Sequence, residues 1–394
     1  MVRRALPGLV TIEHRFEVPL RHDDSGGERI SLFAREVRAP RAADAERPYL
    51  LFLNGGPGFP CSRPARAEGW LGQALEEFHV VLLDQRGTGL STPADAQTLP
   101  ERGDAAAQAE YLTWFRADSI VRDAELIRER LAGGPWSVLG QSYGGFCVTT
   151  YLSLAPEGLR EAFVTGGLPP LGVAVDDVYR RLVERHERRL ALYFDRYPED
   201  RERWKHVPQR WLRTPAREVG MTSGPEELHH LIEYIEASGV AFGERAAHAA
   251  SFATTPLYAL LHEAIYAEGE ATRWAAHRIV EERGGPAAAL PGEMIFPWMF
   301  EDDPGLRPLA GAAHLLAEKD DWPALYDADR LAANDVPVVA AVYLDDTYVD
   351  ADLSLATADR IRGVRTLVTN ELQHDALRTG DAFERLLAMR RGEA

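Results

Sequence analysis

Residues 138–146 read Val138-Leu139-Gly140-Gln141-Ser142-Tyr143-Gly144-Gly145-Phe146 and contain the pattern Gly-x-Ser-x-Gly. Apolar residues lead into this stretch, and a run compatible with a helix, residues 146–154, leaves it. Gly140 and Gly144 lack a Cβ atom, so the backbone can turn tightly and the helix can pack close to the strand. A strand, turn and helix in this order would expose Ser142 as a nucleophile at the positive end of the helix. A glycine-rich turn with an ordinary serine has the same pattern. The rest of the chain must therefore show whether Ser142 is a nucleophile.

The length and composition indicate one large catalytic domain with a substantial insertion, or two domains. The chain has 394 residues, of which 45% are apolar and 27% charged, as is ordinary for a soluble globular protein. The net charge of −17 argues against nucleic acid as a partner, because the phosphate backbone requires a basic surface.

The cysteines and the N-terminus indicate a cytoplasmic protein. Cys61 and Cys147 are too few for a disulfide framework, and we interpret both as free thiols. Residues 1–11 lack the apolar run of a signal peptide, and no stretch approaches the roughly 20 apolar residues of a membrane span. No metal-ligand cluster is evident, since the pair His229-His230 lies in a polar helical stretch and is interpreted as solvated.

Apolar runs alternate with helical patterns along most of the chain, which predicts a mostly parallel sheet with right-handed crossovers. An antiparallel pair is predicted at the start, over residues 11–18 and 30–37. Helices are predicted at 106–132 and 382–391. The further predicted strands are residues 48–54, 79–84, the elbow strand, 159–165, 336–344 and 365–369.

The alternation stops between residues 172 and 321, where the pattern is helical and repeatedly broken by proline. We interpret this segment as a helical cap inserted between two parts of one core, residues 1–171 and 322–394. Such a cap would lie over the carboxyl ends of the strands, where ligands bind in open α/β sheets.

The predicted strand over residues 48–54 ends in the glycine-rich loop Asn54-Gly55-Gly56-Pro57-Gly58. This loop can present backbone N–H groups, and we expect Gly55 or Gly56 to form an oxyanion hole with the N–H of Tyr143. A flexible surface loop is the alternative. After the strand at 79–84, Asp84 and Arg86 are predicted to pair and to support the neighbouring loops.

A serine hydroxyl needs a base, and the base needs a carboxylate that fixes its tautomer and stabilises its charged form. His374 is the best base among the twelve histidines, because it follows the last predicted strand in a short loop. Asp345, Asp346 and Asp350 all lie near the end of the strand before it, so the residues alone leave the acid open. The order serine, acid, histidine is the one that this kind of elbow requires.

Taken together, these features resemble the proline iminopeptidases of the α/β-hydrolase fold. The most specific part is Asp84-Gln85-Arg86-Gly87-Thr88-Gly89-Leu90-Ser91, and the resemblance spans nearly the whole chain. It implies removal of an N-terminal proline from peptides without a cofactor or a metal. It also favours Asp346 as the acid, because the family's catalytic Asp stands four residues before a proline, whose place Asp350 takes.

The resemblance further implies that cap glutamates hold the substrate's α-ammonium group, which a partly desolvated carboxylate can do. Glu263, in the stretch 261–266, is our first choice and Glu293 the second. Leu168 and Tyr266 are further candidates for substrate contact. For each glutamate the alternative is a solvated helix charge.

The sequence departs from the family at Asn54, where a histidine is usual, and at Gln141 and Tyr143 of the elbow. The segment 164–168 lacks the family's usual arginine. A strict preference for proline therefore stays open. An esterase or amidase of the same fold that acts on a small acyl substrate is the main alternative, and a non-catalytic binding protein is the second.

Overall fold

The structure is a computed structural model that describes residues 2–24, 26–206, 218–238, 252–285 and 293–393. Within these ranges the chain forms a nine-stranded sheet with the strand order β1-β2-β3-β5-β4-β6-β7-β8-β9. The first four strands in this order pair antiparallel, and all later neighbours pair parallel. The strands are β1 (Val2–Leu6), β2 (Leu9–Pro19), β3 (Arg29–Arg38), β4 (Tyr49–Leu53), β5 (His79–Asp84), β6 (Trp136–Gln141), β7 (Leu159–Thr165), β8 (Val338–Tyr343) and β9 (Val364–Thr369).

This arrangement confirms the predicted α/β class with a mostly parallel sheet. The edge strand β1 was not predicted, because all five of its residues are exposed and its sequence Val-Arg-Arg-Ala-Leu shows no buried face. Its pairing with β2 consists of backbone hydrogen bonds, and an apolar pattern does not predict these.

The α-helices among the described residues lie on both faces of the sheet and in the segment between β7 and β8. They are α1 (Gly69–Glu77), α2 (Ala105–Leu112), α3 (Ala117–Leu131), α4 (Tyr143–Leu154), α5 (Val175–Arg196), α6 (Asp200–Trp204), α7 (Gly224–Ser238), α8 (Pro256–Leu261), α9 (Ala275–Glu282), α10 (Met299–Asp302), α11 (Ala310–Glu318), α12 (Ala328–Ala332), α13 (Ala351–Ala358), α14 (Ala376–Thr379) and α15 (Ala382–Arg391).

The central strands are buried on both faces, which explains their continuous apolar runs. In β4, Leu51 packs into the core shared with α3, α4 and α5, whereas Leu50 and Phe52 pack into the core shared with α1 and α15. Side chains of one strand therefore belong alternately to two different cores.

The predicted helix over residues 106–132 is two helices, α2 and α3, joined by a 3-10 turn (Thr113–Phe115) and a non-helical residue, Arg116. The guanidinium of Arg116 is buried, and it donates to the carbonyl of Ala267 at 2.7 Å. The apolar spacing continues across this break, so periodicity alone could not locate it.

The predicted pair of Asp84 and Arg86 is wrong. Arg86 instead binds Asp123 of α3 through two hydrogen bonds of 2.7 Å, and both side chains are fully buried. Asp84 accepts hydrogen bonds from the N–H groups of Cys61 and Leu90, so it holds the two loops that follow β4 and β5.

Between β7 and β8 the described elements are helices and short 3-10 turns, and the described residues there form no strand. This segment contacts the core through Thr222, whose N–H and hydroxyl donate to Asp375 at 3.0 and 2.7 Å. The division of the chain at residues 171 and 321 stays a prediction.

Candidate active site

Ser142 lies in a sharp turn between β6 and α4. Its φ of 55° is in the left-handed region, which a residue other than glycine adopts only under strain. The turn is held by hydrogen bonds from the N–H of Ser142 to Thr165 (3.0 Å) and from the N–H of Gly145 to the carbonyl of Ser142 (2.7 Å). This geometry presents the serine at the first turn of a helix.

Gly140 and Gly144 are required by close backbone contacts. A Cβ atom on Gly140 would lie 2.3 Å from the carbonyl oxygen of Gly144. A Cβ on Gly144 would lie 1.9 Å from the carbonyl oxygen of Leu53 in β4. Both distances are far below van der Waals contact, so the elbow can form only with glycine at these positions.

His374 and Asp346 form a buried pair. The Nδ1 atom of His374 lies 2.8 Å from Oδ2 of Asp346. The other oxygen of Asp346 accepts hydrogen bonds from the N–H groups of Tyr348 (2.8 Å) and Val349 (3.1 Å). The imidazole also stacks on the Tyr348 ring with 4.3 Å between centroids. The pair fixes the ring orientation and favours a proton on Nδ1, which leaves Nε2 as the basic nitrogen.

The other two candidate acids have different positions. Asp345 is exposed. Asp350 caps α13, where it accepts from the N–H of Leu353, and it binds Nε of Arg185 at 2.7 Å. Arg185, on α5, also donates to the carbonyl of Leu344 at 2.7 Å. Arg185 therefore holds both ends of the loop 344–350 that carries Asp346.

The pKa of His374 is raised above its ordinary value. Burial by itself lowers this pKa, but the charge and hydrogen bond of Asp346, together with the charge of Glu293, raise it by more. The positive charge of Arg378 lowers it slightly. A base with a raised pKa holds the proton of the serine hydroxyl more firmly once it has taken it.

The glycine-rich loop after β4 lies against Ser142. A Cβ atom on Gly55 would lie 3.0 Å from Cβ of Ser142, so only glycine allows this approach without a shift. Gly55, Gly56 and Ser142 line the same cavity, and Tyr143 is the first residue of α4. The amide of Gln85 donates to the carbonyl of Asn54 at 3.2 Å and holds the loop.

The cavity at Ser142 and His374 has a volume of about 300 Å3. Its wall combines Ser142 and His374 with aromatic rings and three further charged groups. The further lining residues include Phe59, Tyr258, Tyr348, Met221, Glu218, Glu293 and Arg378.

Glu293 lies in this cavity with its side chain mostly buried. Its carboxylate accepts a hydrogen bond from the hydroxyl of Tyr258, and it lies 3.6 Å from Nε2 of His262. Burial raises the pKa of Glu293, but His262, His374 and Tyr258 lower it by more, so the net shift is downward. The cavity therefore holds a carboxylate that stays ionised at neutral pH.

Glu263 is not among the residues that line this cavity. Its carboxylate accepts from the N–H of Ala276 at 2.9 Å, at the start of α9. Burial raises the pKa of Glu263, and hydrogen bonds from Thr272 and from the backbone of α9 offset part of this rise. Glu263 thus stabilises a helix N-terminus, where a carboxylate interacts favourably with the helix dipole.

Leu168 and Tyr266 are likewise absent from the cavity wall. Leu168 is buried, and its carbonyl accepts from the hydroxyl of Ser354 at 3.2 Å. Tyr266 packs edge-on against Phe146 and Tyr179 at 5.7 and 5.8 Å.

Sequence reasoning missed several residues of the cavity wall. Glu218 follows a proline-broken stretch without a motif, and Tyr258 lies two residues after Pro256 with no distinguishing pattern. Arg378 was the most accessible of these to prediction, since it lies four residues after His374 in the same loop and short helix.

One described group of side chains has the spacing of metal ligands, namely Glu199, Asp200 and His229. Asp200 already accepts hydrogen bonds from Tyr193, Arg203 and Nδ1 of His229, the last at 2.7 Å. The interpretation of His229 as solvated is therefore wrong, because its ring binds Asp200 and stacks on Tyr197.

The fold and the site define a serine hydrolase of the α/β-hydrolase class. A family model described as alpha/beta hydrolase fold matches residues 48–237. A proline iminopeptidase of Aeromonas sobria is 44% identical over 98% of this chain and 98% of its own length. A proline iminopeptidase of Aspergillus aculeatus is 36% identical over 94% of this chain and 90% of its own. The chain therefore belongs to the proline iminopeptidase family.

Among solved structures, a proline iminopeptidase-related protein from Thermus thermophilus has a TM-score of 0.43 and 18% identity to this chain. The match covers 97% of this chain and 98% of that one. In the described residues, no helix has both the length and the apolar character needed to cross a membrane.

Proposed function

We propose that this enzyme is a serine aminopeptidase that releases an N-terminal proline from peptides or small amides. The observation that carries the proposal is the presence of Ser142, His374 and the buried carboxylate of Glu293 in one cavity. The carboxylate suits a substrate with a free N-terminus, because charge-assisted hydrogen bonds bind an ammonium group strongly. Relatives that match almost the whole chain are named proline iminopeptidases, which supports proline as the residue released.

The reaction is acyl transfer through Ser142. His374 takes the proton of the hydroxyl as its oxygen attacks the carbonyl carbon of the N-terminal residue. N–H groups of Gly55 or Gly56 and of Tyr143 hold the oxyanion, and one such donor contributes about 3 to 4 kcal/mol. His374 then protonates the leaving amine, Asp346 stabilises the imidazolium, and water releases the acyl group by the reverse sequence.

Glu293 is the best candidate for the amine-binding group. It lies in the same cavity as the base, and its charge raises the pKa of His374. Glu218 lines the cavity as well and gives it a second carboxylate. The rings of Phe59 and Tyr258, 5.2 Å apart, offer an apolar wall to a proline ring.

The alternatives from the sequence fit this cavity less well. An esterase or amidase for an uncharged acyl group does not require carboxylates beside Ser142, whereas a substrate with a free amine gains charge-assisted hydrogen bonds from them. A non-catalytic binding protein does not require a strained Ser142 or a buried pair of His374 and Asp346. The predicted cytoplasmic location and the helical cap at residues 172–321 stay part of the proposal.

The decisive experiment compares proline p-nitroanilide with its N-acetylated form. We expect rapid hydrolysis of the first substrate, at least 100-fold slower hydrolysis of the second, and no hydrolysis by Ser142→Ala, since a lost charge-assisted contact and a blocked amine together weaken binding strongly. A fluorophosphonate probe should label the wild type and not Ser142→Ala. Equal hydrolysis of the two substrates would contradict the aminopeptidase proposal, while absence of labelling would contradict the serine mechanism.

A further inference from the structure

A second cavity, of about 270 Å3, lies beside the active-site cavity. The two cavities share Asn54, Ser62, Gln141 and Arg378, which therefore form the junction between them. Gln141 directly precedes the nucleophile, so the junction is next to the reacting atoms. The second cavity also has an apolar wall, formed by Phe52, Trp70, Leu71, Leu82 and Leu377. The part of a substrate beyond the scissile bond thus has a partly open cavity to enter.

Arg378 provides a positive charge at this junction. It lies on α14, the short helix that follows His374, and its side chain is exposed. Among the described residues, its guanidinium forms no ion pair or side-chain hydrogen bond. Arg66 also lines the second cavity, but it forms an ion pair at 3.2 Å with Glu68, which lines the same cavity. The donors of Arg378 are therefore available to a ligand.

The charged groups of the two cavities differ. Glu218 and Glu293 line only the active-site cavity, Arg66 and Glu68 line only the second cavity and pair with each other, and Arg378 lines both cavities. A ligand that spans the junction thus meets the carboxylates of the active-site cavity and the guanidinium of Arg378. This pattern is complementary to a short peptide with a free amino terminus and a free carboxyl terminus.

We propose that Arg378 binds the α-carboxylate of the leaving residue, so that a dipeptide with a free carboxyl terminus is preferred to the same dipeptide with an amidated one. The planar guanidinium fork matches a carboxylate and can donate two parallel hydrogen bonds to it. A dipeptide carries this carboxylate on the residue directly after the scissile bond, and each additional residue carries it up to ~3.6 Å farther away. This inference rests on the proposed function.

The test compares the free acid Pro-Leu with its C-terminal amide, Pro-Leu-NH2, and uses the ratio of their kcat/KM values. For the wild type we expect a ratio of about 10 in favour of the acid, which is the size of one partly exposed charge-assisted contact. Arg378→Gln should bring the ratio close to one, and Arg378→Lys should retain part of it. Arg365→Gln removes the same charge from the exposed face of β9, outside both cavities, and should keep the wild-type ratio.

Proline p-nitroanilide separates the two proposals, because it has no carboxylate on its leaving group. A wild-type ratio near one, or a ratio that Arg378→Gln does not change, overturns the role of Arg378 even when the anilide is hydrolysed rapidly. Failure of the wild type to hydrolyse the anilide and both dipeptides contradicts the proposed function itself. Since all readouts are ratios within one variant, partial loss of folded protein does not affect them.

Discussion

Glu263 and Glu293 both have buried side chains in the helical segment, yet their surroundings give them different tasks. Glu293 is held by Tyr258 and lies near His262 inside the active-site cavity, whereas Glu263 binds the backbone at the start of α9. The direction of each pKa shift agrees with this division, since the pKa of Glu293 is lowered and that of Glu263 is raised. Substituting each glutamate in turn can therefore separate binding of the substrate's amine from stabilisation of the start of α9.

Glu293→Gln should lower kcat/KM for proline p-nitroanilide by about 10- to 100-fold, because a hydrogen bond to a charged group contributes about 1.5–3 kcal/mol. Glu263→Gln removes a charge of the same sign outside the cavity and should leave kcat/KM within a few-fold of the wild type. Steady-state kinetics on the two variants checks this expectation. A similar loss in both variants would mean that Glu293 has no special contact with the amine.

The raised pKa of His374 predicts the pH dependence of Ser142. The base must be neutral to accept the serine proton, so reactivity rises as pH increases through the pKa of His374. The midpoint should lie above the ordinary value of 6.5. The negative charge of Glu293 contributes to the rise, so Glu293→Gln should move the midpoint to lower pH. Arg378→Gln removes a positive charge and should move it to higher pH.

The rate at which a neutral fluorophosphonate labels Ser142, measured across pH, reports this midpoint without an amine on the probe. Shifts in the same direction for Glu293→Gln and Arg378→Gln would contradict the assigned charges.

The raised pKa of His374 also makes the stability of the protein depend on pH. Because the pKa is raised on folding, His374 contributes stability below the unfolded pKa, and this contribution is lost as pH rises through the folded pKa.

At the scale of elements, the contact between β4, β6 and α4 depends on glycine. Gly144→Ala places a methyl group against the Leu53 carbonyl, where even the ideal Cβ position is only 1.9 Å from the oxygen. We expect loss of the elbow geometry, with almost complete loss of activity and a decrease in unfolding free energy of about 1–3 kcal/mol or more. Urea denaturation and probe labelling measure the two effects.

Gly134→Ala is the control for this substitution, because a Cβ on Gly134 meets nothing within 4 Å. It should change neither stability nor labelling appreciably. Wild-type activity in Gly144→Ala would contradict this expectation. It would mean that α4 can move away from the Leu53 carbonyl of β4 without disturbing Ser142.

At the scale of the whole molecule, the buried pair of Arg86 and Asp123 joins distant parts of the core. Arg86 follows β5, Asp123 lies on α3, and Arg86 also donates to the carbonyl of Leu20 after β2 at 3.0 Å. Asp123→Asn should destabilise the protein by about 3–5 kcal/mol, because it leaves a buried guanidinium without its counter-charge.

Asp118→Asn, on the same helix, is the matched control for this prediction. Asp118 pairs with the exposed Arg122, and such a surface pair contributes only about 0.3–0.5 kcal/mol. Urea denaturation of both variants measures the difference. Equal and small losses would mean that water or another acceptor replaces Asp123 beside Arg86.

The sequence predicted most of the sheet, because buried strands such as β4 and β8 consist wholly of apolar and aromatic residues. It could not predict partners that depend on three-dimensional reach. Arg86 does not bind the nearby Asp84. It binds Asp123, which lies 37 positions later on a helix. The acid beside His374 and the glutamate of the cavity are equally hard to choose from the residues alone. The candidate carboxylates have the same chemical properties and differ only in their orientation in the fold.

The position of Arg185 has a consequence for how this enzyme depends on its inserted segment. Arg185 belongs to α5 in that segment, yet it grips Leu344 and Asp350 at the two ends of the loop that carries Asp346. The segment between β7 and β8 therefore fixes the loop beside His374 in addition to its proposed role as a cap. Removing this segment should lower the reactivity of Ser142 toward a fluorophosphonate, because Arg185 would no longer hold the loop that orients Asp346.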